Sequence, residues 1–300
     1  MKTIAVLSGK GGVGKSSITA SLAVLLADKH KIIAADCDVD APNLALVLGI
    51  KEENFKFLER IETSERAMLI KEKCNACGEC RDTCNFSAVK WDNDKNLPVI
   101  NNLLCVGCGA CTAACPENAL ELEPVENASI NVGETEYGFP IVSGQLNMGE
   151  SGSGAVVHAV KMIASEIAED IGAEFLIVDS AAGIGCPVIA SVRGSDYVIL
   201  VIEPTPAAFW DLKRAIEVVE HFDIPYGVVI NKYDINSKFT EEIEGYFALN
   251  NIPVLGKIPY DKEFVYALVN LKPVVVFEVE FVDIFMQILK KLNDFNEVII

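Results

Sequence analysis

Apolar residues fall along the chain in short continuous runs that alternate with segments of helical spacing. The run Thr3–Ser8 precedes a glycine-rich loop, the apolar positions of Ser16–Asp28 recur with the period of a buried helix, and Lys31–Ala35 is a second strand-like run. Further strands are predicted at Tyr137–Val142, Phe175–Asp179, Tyr197–Ile202, Tyr226–Ile230 and Pro253–Ile258. Further helices are predicted at Gly154–Glu169, Ala207–His221, Thr240–Leu249 and within Phe281–Ile300. This alternation predicts an α/β fold with a mainly parallel, doubly wound sheet that helices cover on both faces.

A cysteine-rich segment interrupts the α/β pattern. Eight of the ten cysteines stand in two runs of the form CxxCxxCxxxC, whose members are Cys74, Cys77, Cys80 and Cys84, then Cys105, Cys108, Cys111 and Cys115. The runs are offset by 31 residues, and Ala88-Val89 after the first corresponds to Ala119-Leu120 after the second. Such a duplication predicts two similar halves. We therefore predict an inserted domain over residues 61–124 within a discontinuous domain of residues 1–60 and 125–300.

Composition and charge narrow the classes of function. With 300 residues and 51% apolar residues, the chain has ample material for a core and is not largely disordered. Its 25 Lys and Arg against 43 Asp and Glu give a net charge of −18, which argues against a nucleic-acid partner. No segment has the pattern of a secretory signal or a membrane span, so we expect a cytoplasmic protein without a membrane partner. Because cytosolic thiols are kept reduced, we expect the cysteines to have a role other than forming disulfides.

The loop Gly9–Ser16 reads Gly-Lys-Gly-Gly-Val-Gly-Lys-Ser and lies between a predicted strand and a predicted helix. This is the G-x4-G-K-[ST] phosphate loop in its expected context. Backbone N–H groups of such a loop surround phosphate oxygens, and the helix N-terminus adds positive potential. Lys15 is expected to contact the β- and γ-phosphates, and the Ser16 hydroxyl to hold Mg²⁺. A glycine turn with an incidental lysine is the weaker interpretation.

A second lysine within the loop, Lys10, makes the sequence resemble the deviant Walker A ATPases of the MinD/Mrp/ParA family, which includes the nitrogenase iron protein. The resemblance implies that ATP is the nucleotide and that its binding promotes a homodimer. It also implies that Lys10 reaches the partner subunit's ATP. The family's ATP contacts correspond here to Gly11, Gly12, Val13, Gly14, Lys15, Ser16 and Ser17.

The same resemblance assigns roles to polar residues after three other predicted strands. Asp36 and Asp38 match the family's first switch, in which Asp36 supports the Mg²⁺ shell and Asp38 orients or deprotonates the attacking water. Asp179 matches the Walker B carboxylate at a strand end, and Ala182-Gly183 continues as a second switch without the usual prolines. Asn231 matches the adenine-recognising asparagine. A solvated loop residue or turn is the alternative for each of these side chains taken alone.

The cysteine segment resembles bacterial ferredoxins with two [4Fe–4S] clusters, in which the fourth cysteine of one run ligates the cluster of the other run. This resemblance implies an inserted α+β domain of ferredoxin type. It assigns one cluster to Cys74, Cys77, Cys80 and Cys115, and the second to Cys105, Cys108, Cys111 and Cys84. Zinc is the competing interpretation, although zinc ribbons use CxxC pairs separated by a longer interval.

Three functions are considered for an ATPase of this family that carries such clusters. The first is an accessory protein that assists metal-cofactor or iron–sulfur assembly together with an unidentified redox or assembly partner. The second is an ATP-gated electron donor similar to the nitrogenase iron protein. The third, a MinD-type positioning switch, is expected to carry a basic amphipathic C-terminal helix, and none is evident here. The sequence favours the first.

Overall fold

The computed structural model describes residues 1–296 of the chain. Within that range the strands are β1 (Lys2–Ser8), β2 (Ile32–Cys37), β3 (Lys56–Ile61), β4 (Ser64–Leu69), β5 (Val89–Asp92), β6 (Leu97–Ile100), β7 (Leu120–Val125), β8 (Ala128–Glu134), β9 (Pro140–Leu146), β10 (Phe175–Ala182), β11 (Tyr197–Ile202), β12 (Tyr226–Asn231) and β13 (Val254–Ile258). The α-helices are α1 (Lys15–Ala27), α2 (Leu44–Val47), α3 (Glu79–Thr83), α4 (Ala110–Ala114), α5 (Ser153–Ile171), α6 (Cys186–Val192), α7 (Pro206–His221), α8 (Ser237–Leu249), α9 (Glu263–Val269), α10 (Val274–Phe277) and α11 (Val282–Asn296).

A nine-stranded sheet has the order β13-β12-β11-β1-β10-β2-β9-β8-β3. The pairs from β13 across to β9 are all parallel. Every residue of β2 and of β11 is buried, as is typical of parallel strands that are covered on both faces. The predicted α/β fold with a mainly parallel sheet is therefore confirmed.

Several element bounds differ from the predictions for local reasons. The predicted strand at Tyr137 begins only at Pro140, because Gly138 has φ +81° and Thr135 closes a turn by donating its N–H and Oγ1 to the Phe139 carbonyl. Helix α8 begins three residues earlier than predicted, at Ser237, because Asn236 Oδ1 accepts the Phe239 N–H as an N-cap. The predicted C-terminal helix is α11, and residues 297–300 lie outside the described range.

The chain divides into two compact units. The larger comprises Met1–Leu58, Ile130–Gln145 and Ser153–Ile300, and the smaller comprises Glu59–Ser129 and Leu146–Gly152. No helix among residues 1–296 has the length and apolar character needed to cross a bilayer.

The smaller unit repeats one arrangement twice. In each cysteine run the third cysteine lies on a five-residue helix, α3 or α4, that follows a left-handed glycine, Gly78 at φ +86° or Gly109 at φ +73°. Strands β4 and β7 pair antiparallel, as do β5 and β6. The third cysteines, Cys80 and Cys111, share a small buried core whose other members are Ala67, Val89 and Leu120. The duplication in the sequence is thus a duplication in structure.

Candidate functional site

The phosphate-loop sequence connects β1 to α1, the context that the motif requires. Gly12 and Gly14 adopt left-handed backbone conformations with φ of +81° and +95°. At Gly14 a side chain would also collide with the carboxamide of Asn231. The loop therefore needs glycine at this position for two reasons, its backbone angle and its close neighbour.

Lys15, the first residue of α1, is buried and surrounded by acceptors. Its Nζ lies 2.8 Å from Asp179 Oδ1, 3.4 Å from Ser16 Oγ and 3.9 Å from Asp38 Oδ2. Asp179 Oδ1 also accepts the Thr19 hydroxyl at 2.8 Å. The structure thus brings together the phosphate-loop lysine and two of the three predicted acidic residues.

Asp179 and Asp36 lie on neighbouring strands, in register across β10 and β2. Both carboxylates are fully buried. Burial, followed by the proximity of Asp179, raises the pKa of Asp36 to about 8. Two N–H groups, those of Leu44 at 2.9 Å and Asp38 at 3.3 Å, donate to Asp36. Two buried carboxylates side by side produce a strongly negative electrostatic potential, which a bound cation would offset.

The Asp179 carboxylate fits a place in a magnesium shell. Its second oxygen, Oδ2, is buried and has no hydrogen-bond partner among residues 1–296. Within the same range, no three His, Cys, Asp or Glu side chains are grouped so as to hold a metal ion. Magnesium is commonly held by one or two carboxylates, with waters and substrate phosphates completing the octahedron. The residues present therefore suit a Mg²⁺ that arrives with a nucleotide.

Asp38 is partly exposed to solvent, unlike the buried Lys15, Asp36 and Asp179. Its side chain is 23% exposed, and burial raises its pKa above the ordinary value. It is thus the most accessible of the three acidic residues. It has the exposure that a residue in contact with water and substrate needs.

Glu203, which follows β11, joins two lysines at the loop. Its carboxylate lies 3.9 Å from Lys10 Nζ and 2.9 Å from Lys232 Nζ, and Lys232 Nζ also donates to the Gly12 carbonyl at 3.2 Å. The Lys10 side chain remains 42% exposed. The sequence analysis missed Glu203 and Lys232. Their position in the sequence could have revealed them, because each directly follows a buried strand. The carboxyl ends of these parallel strands lie on the side of the sheet that carries the phosphate loop.

Asn231 is almost fully buried beneath the loop. Its Nδ2 donates to the Val13 carbonyl at 2.7 Å, and its Oδ1 accepts the Lys232 N–H at 3.0 Å. Since Nδ2 carries two hydrogens and Val13 takes one, the other remains for a ligand. The predicted contact with adenine stays a prediction.

In the smaller unit, the cysteines surround two separate cavities. One is lined by Cys74, Cys77 and Cys80 from the first run together with Cys115 from the second. The other is lined by Cys105, Cys108 and Cys111 together with Cys84. The four cysteines of each set therefore line one common space. Four thiolates arranged in this way suit a polynuclear cluster, which takes one thiolate on each of its four irons.

Burial and backbone N–H groups shape the chemistry of these thiols. Burial raises the pKa of Cys111, and the neighbouring thiols of Cys105, Cys108 and Cys84 raise it further. Although burial acts to raise the pKa of Cys84, the N–H groups of residues 86–89 lower it below the ordinary value. The Ala119 N–H lies 3.2 Å from Cys115 Sγ. The backbone therefore stabilises negative charge on Cys84, and it also donates an N–H to the sulfur of Cys115.

Comparison with known proteins settles the family. The model of the CobQ/CobB/MinD/ParA nucleotide-binding domain matches residues 4–274. The chain belongs to this family. An uncharacterized protein of Methanocaldococcus jannaschii, MJ0578, is 40% identical over 234 residues, which are 78% of this chain and 79% of the relative. An iron-sulfur cluster carrier protein of Pyrococcus horikoshii is 24% identical over 278 residues, covering 86% of this chain and 74% of the relative.

The solved structures agree on the fold. The septum site-determining protein MinD of Pyrococcus horikoshii, complexed with Mg-ADP, superposes with a TM-score of 0.59 at 17% identity over 97% of this chain and 96% of that one. Like the MinD/ParA members of its family, the chain is a P-loop ATPase.

Proposed function

We propose that this ATPase carries two [4Fe–4S] clusters and assists metal-cofactor or iron–sulfur assembly through nucleotide-dependent dimerisation. The main observation behind this proposal is the pair of cysteine cavities. Each cavity is lined by three thiols of one run and the fourth thiol of the other. Two-cluster ferredoxins have this crossed ligand set, whereas zinc ribbons use CxxC pairs. A ferredoxin-like domain over residues 61–124, inserted in an ATPase domain of residues 1–60 and 125–300, is part of the proposal.

The named relatives support the assembly role. The family of this chain includes a relative named as an iron-sulfur cluster carrier. Clusters in this chain would then sense the state of a client protein or supply it with electrons while its cofactor is installed. The two clusters would supply one-electron chemistry. One would be held by Cys74, Cys77, Cys80 and Cys115, and the other by Cys105, Cys108, Cys111 and Cys84.

ATP would bind at the phosphate loop through the backbone of Gly11–Ser17 and the side chain of Lys15. On binding, Lys15 would exchange Asp179 for phosphate oxygens, which frees the carboxylate. Ser16, Asp179 and Asp36 would hold the Mg²⁺, whose charge offsets that of the phosphates. Asp179 Oδ2, which is buried without a hydrogen-bond partner in the described range 1–296, supports this assignment.

Hydrolysis would depend on two further side chains. Asp38, the most exposed of the three acidic residues, would orient the attacking water or take its proton. Lys10, whose side chain is 42% exposed and whose ammonium lies 3.9 Å from Glu203, would extend to the γ-phosphate of a second copy. Its ammonium there stabilises the charge that develops in the transition state. ATP is thus expected to promote a homodimer.

One observation favours a second candidate, an ATP-gated electron donor. Cys80 and Cys111 are buried in the apolar core of the smaller unit, with exposures of 7% and 8%. Ligands that are also core residues tie a cluster to the folded unit, so the clusters are resident groups and not cargo. Resident clusters suit an electron donor, which keeps its clusters through repeated turnovers, whereas a carrier has to release its cluster.

Capture of the partner separates the two functions. Asp38→Ala protein, purified anaerobically and held with ATP, should retain a partner that Lys15→Ala protein does not. An assembly role predicts that the captured partner gains a metal cofactor only when wild-type protein turns over ATP. Reduction of the partner without any gain of metal would favour the electron donor. Equal activation of the partner by Lys15→Ala protein would contradict both.

A further inference from the structure

The two halves of the smaller unit match in their backbone but differ in the side chains around their cavities. We call the cavity that Cys74 lines the first cavity and the cavity that Cys105 lines the second cavity. At each cavity, two exposed residues precede the first cysteine, one follows it, and one stands two residues beyond the fourth ligand. At the first cavity these residues are polar, namely Glu72, Lys73, Asn75 and Glu117. At the second they are apolar, each 31 residues away from its counterpart, namely Leu103, Leu104, Val106 and Phe86.

The polar residues of the first cavity bind one another. Asn75 Nδ2 donates to Glu117 Oε1 at 3.1 Å, and both residues line the cavity. Their counterparts, Val106 and Phe86, line the second cavity and have no side-chain polar atoms with which to form such a bond. No charged residue occurs from Asn96 to Pro116, whereas the corresponding residues 65–85 include eight charged ones. The repeat thus preserves the thiols of the two cavities and changes the surface around one of them.

The loop after β9 enlarges the apolar surface at the second cavity. Leu103 packs against Gly149, with its Cδ2 2.9 Å from the place that a Cβ at Gly149 would take. Leu103 is 73% exposed, and Met148 beside Gly149 is 97% exposed. Exposed apolar groups that lie together mark interaction sites, and methionine adapts to different partner surfaces. We call Phe86, Leu103, Leu104, Val106 and Met148 the apolar face.

The size of the apolar face limits what can cover it. Its five side chains expose about 500 Å², whereas each partner of a stable complex buries about 800 Å². Small contacts of this kind are typical of brief encounters between redox proteins. The area therefore favours a transient partner over a second copy of the chain that is held permanently.

Acidic residues border the apolar face on one side. Glu62, Glu65 and Val106 line the same surface depression, and Gly107 packs against the Glu65 backbone. Both glutamates are exposed, and neither carboxylate forms an ion pair within the described residues 1–296. The whole chain also carries a net charge of −18. A partner with basic residues around an apolar centre complements this surface, because opposite charges at the rim of an interface speed the encounter.

We propose that a one-electron redox protein with an apolar centre and a basic rim docks on the apolar face and exchanges electrons there. The proposal rests on the clusters of the proposed function and assigns the exchange to the second cavity. Cys108 of that cavity is exposed, so a thiolate ligand lies at the surface beside the face. One electron passes in each encounter. The cluster is oxidised by one unit as the haem or iron–sulfur group of the partner is reduced by one, or the reverse, and no bond forms or breaks.

Cytochrome c is the probe for this docking, because lysines surround its exposed haem edge and its reduction changes its absorption spectrum. Under anaerobic conditions, reduced wild-type protein should reduce cytochrome c in a second-order reaction whose rate falls as ionic strength rises. Calorimetric binding of oxidised cytochrome c to the oxidised protein measures docking without electron transfer.

The double variant Leu103→Gln/Met148→Gln removes apolar surface without changing charge. It should lower both the rate constant and the affinity for cytochrome c by about tenfold, because a few residues at the centre of a contact supply most of its binding energy. Neither side chain lines a cavity, so the iron content and the spectroscopic signals of both clusters should stay as in wild-type protein.

Two single variants are matched controls. Leu249→Gln changes a leucine that is 86% exposed on α8 of the larger unit. Glu72→Gln changes the counterpart of Leu103 at the first cavity. Both should leave the rate constant and the affinity within about twofold of wild type.

The acidic rim is tested separately with Glu62→Gln/Glu65→Gln. This variant should slow the reaction at low ionic strength and flatten its salt dependence. Glu241→Gln/Glu242→Gln, which removes the same charge from the exposed side of α8, should change neither.

Unchanged rate and affinity in Leu103→Gln/Met148→Gln would overturn the proposal, as would an equal loss in Glu72→Gln. A nucleotide-free wild-type dimer that becomes monomeric in Leu103→Gln/Met148→Gln would also overturn it, because a second copy would then cover the face. Absence of iron from wild-type protein would instead contradict the proposed function, so the two failures are distinguishable.

Discussion

The Lys15 ammonium and the Asp179 carboxylate form a buried ion pair, with Nζ 2.8 Å from Oδ1 and side-chain exposures of 7% and 0%. Lys15 begins the helix after β1, and Asp179 lies on the adjacent strand, in register with Val6. The pair therefore joins the phosphate loop to the strand that carries the predicted metal carboxylate. A single substitution in the pair has consequences for both folding and catalysis.

Lys15→Ala should abolish ATP turnover because it removes the phosphate-binding ammonium. It should also lower the free energy of unfolding of the nucleotide-free protein by about 3 kcal/mol, because it leaves Asp179 buried beside Asp36 without its cation. ATPase rates and denaturant unfolding measure the two effects. Lys238→Ala, which removes an exposed lysine from α8, should change neither.

The double variant Lys15→Ala/Asp179→Asn separates these effects. Removing the unpaired charge should recover most of the lost stability while ATP turnover stays absent. Undiminished hydrolysis in Lys15→Ala protein would exclude the phosphate loop from the mechanism.

Dimerisation should depend on ATP and on Lys10. We expect wild-type protein and Asp38→Ala protein to sediment as dimers at saturating ATP, with Asp38→Ala hydrolysing slowly and staying dimeric longer. Lys10→Ala should bind ATP yet remain largely monomeric, because the ammonium that reaches the partner's phosphate is missing. A monomer of Asp38→Ala at saturating ATP would count against the shared nucleotide site.

The redox state of the cysteine unit should change the affinity for ATP. The chain passes between its two units at Leu58–Glu59, Ser129–Ile130, Gln145–Leu146 and Gly152–Ser153. If nucleotide binding rearranges Asp36–Asp40, linkage requires ATP affinity to differ between oxidised and reduced protein by the same coupling, about 1–3 kcal/mol. Titrations of both forms under anaerobic conditions measure it. Equal affinities would show that the two units act independently.

Local patterns predicted seven of the nine strands of the central sheet but not β3 and β8, and they predicted strand ends less well. Phe175–Asp179 is a continuous apolar run that ends in Asp, yet β10 extends to Ala182. The extension follows from pairing, since Ala182 lies in register with Ser8 of β1 and the Gly183 N–H donates to the Ser8 carbonyl at 2.9 Å. Such long-range pairing has no signature in the local sequence.

The residues of the nucleotide site likewise divide into those that local motifs predict and those that depend on long-range pairing. Lys15, Asp36 and Asp179 stand in sequence motifs, at the start of α1 and on β2 and β10, and the structure brings them together. Glu203 and Lys232 belong to no motif used in the sequence analysis, and their contacts with the loop exist only once β11 and β12 stand beside β1. Tertiary contacts of this kind require the folded sheet.

The crossed cysteine sets are the centre of the account, and iron analysis of Cys115→Ser tests them most directly. Anaerobically reconstituted wild-type protein should contain about eight irons per chain. Cys115→Ser should lose the spectroscopic signal of the cluster bound by Cys74, Cys77 and Cys80 and keep the cluster of its own run, with about four irons remaining. Stoichiometric zinc without iron in the wild-type protein, or loss in Cys115→Ser of the cluster of its own run, would contradict the account.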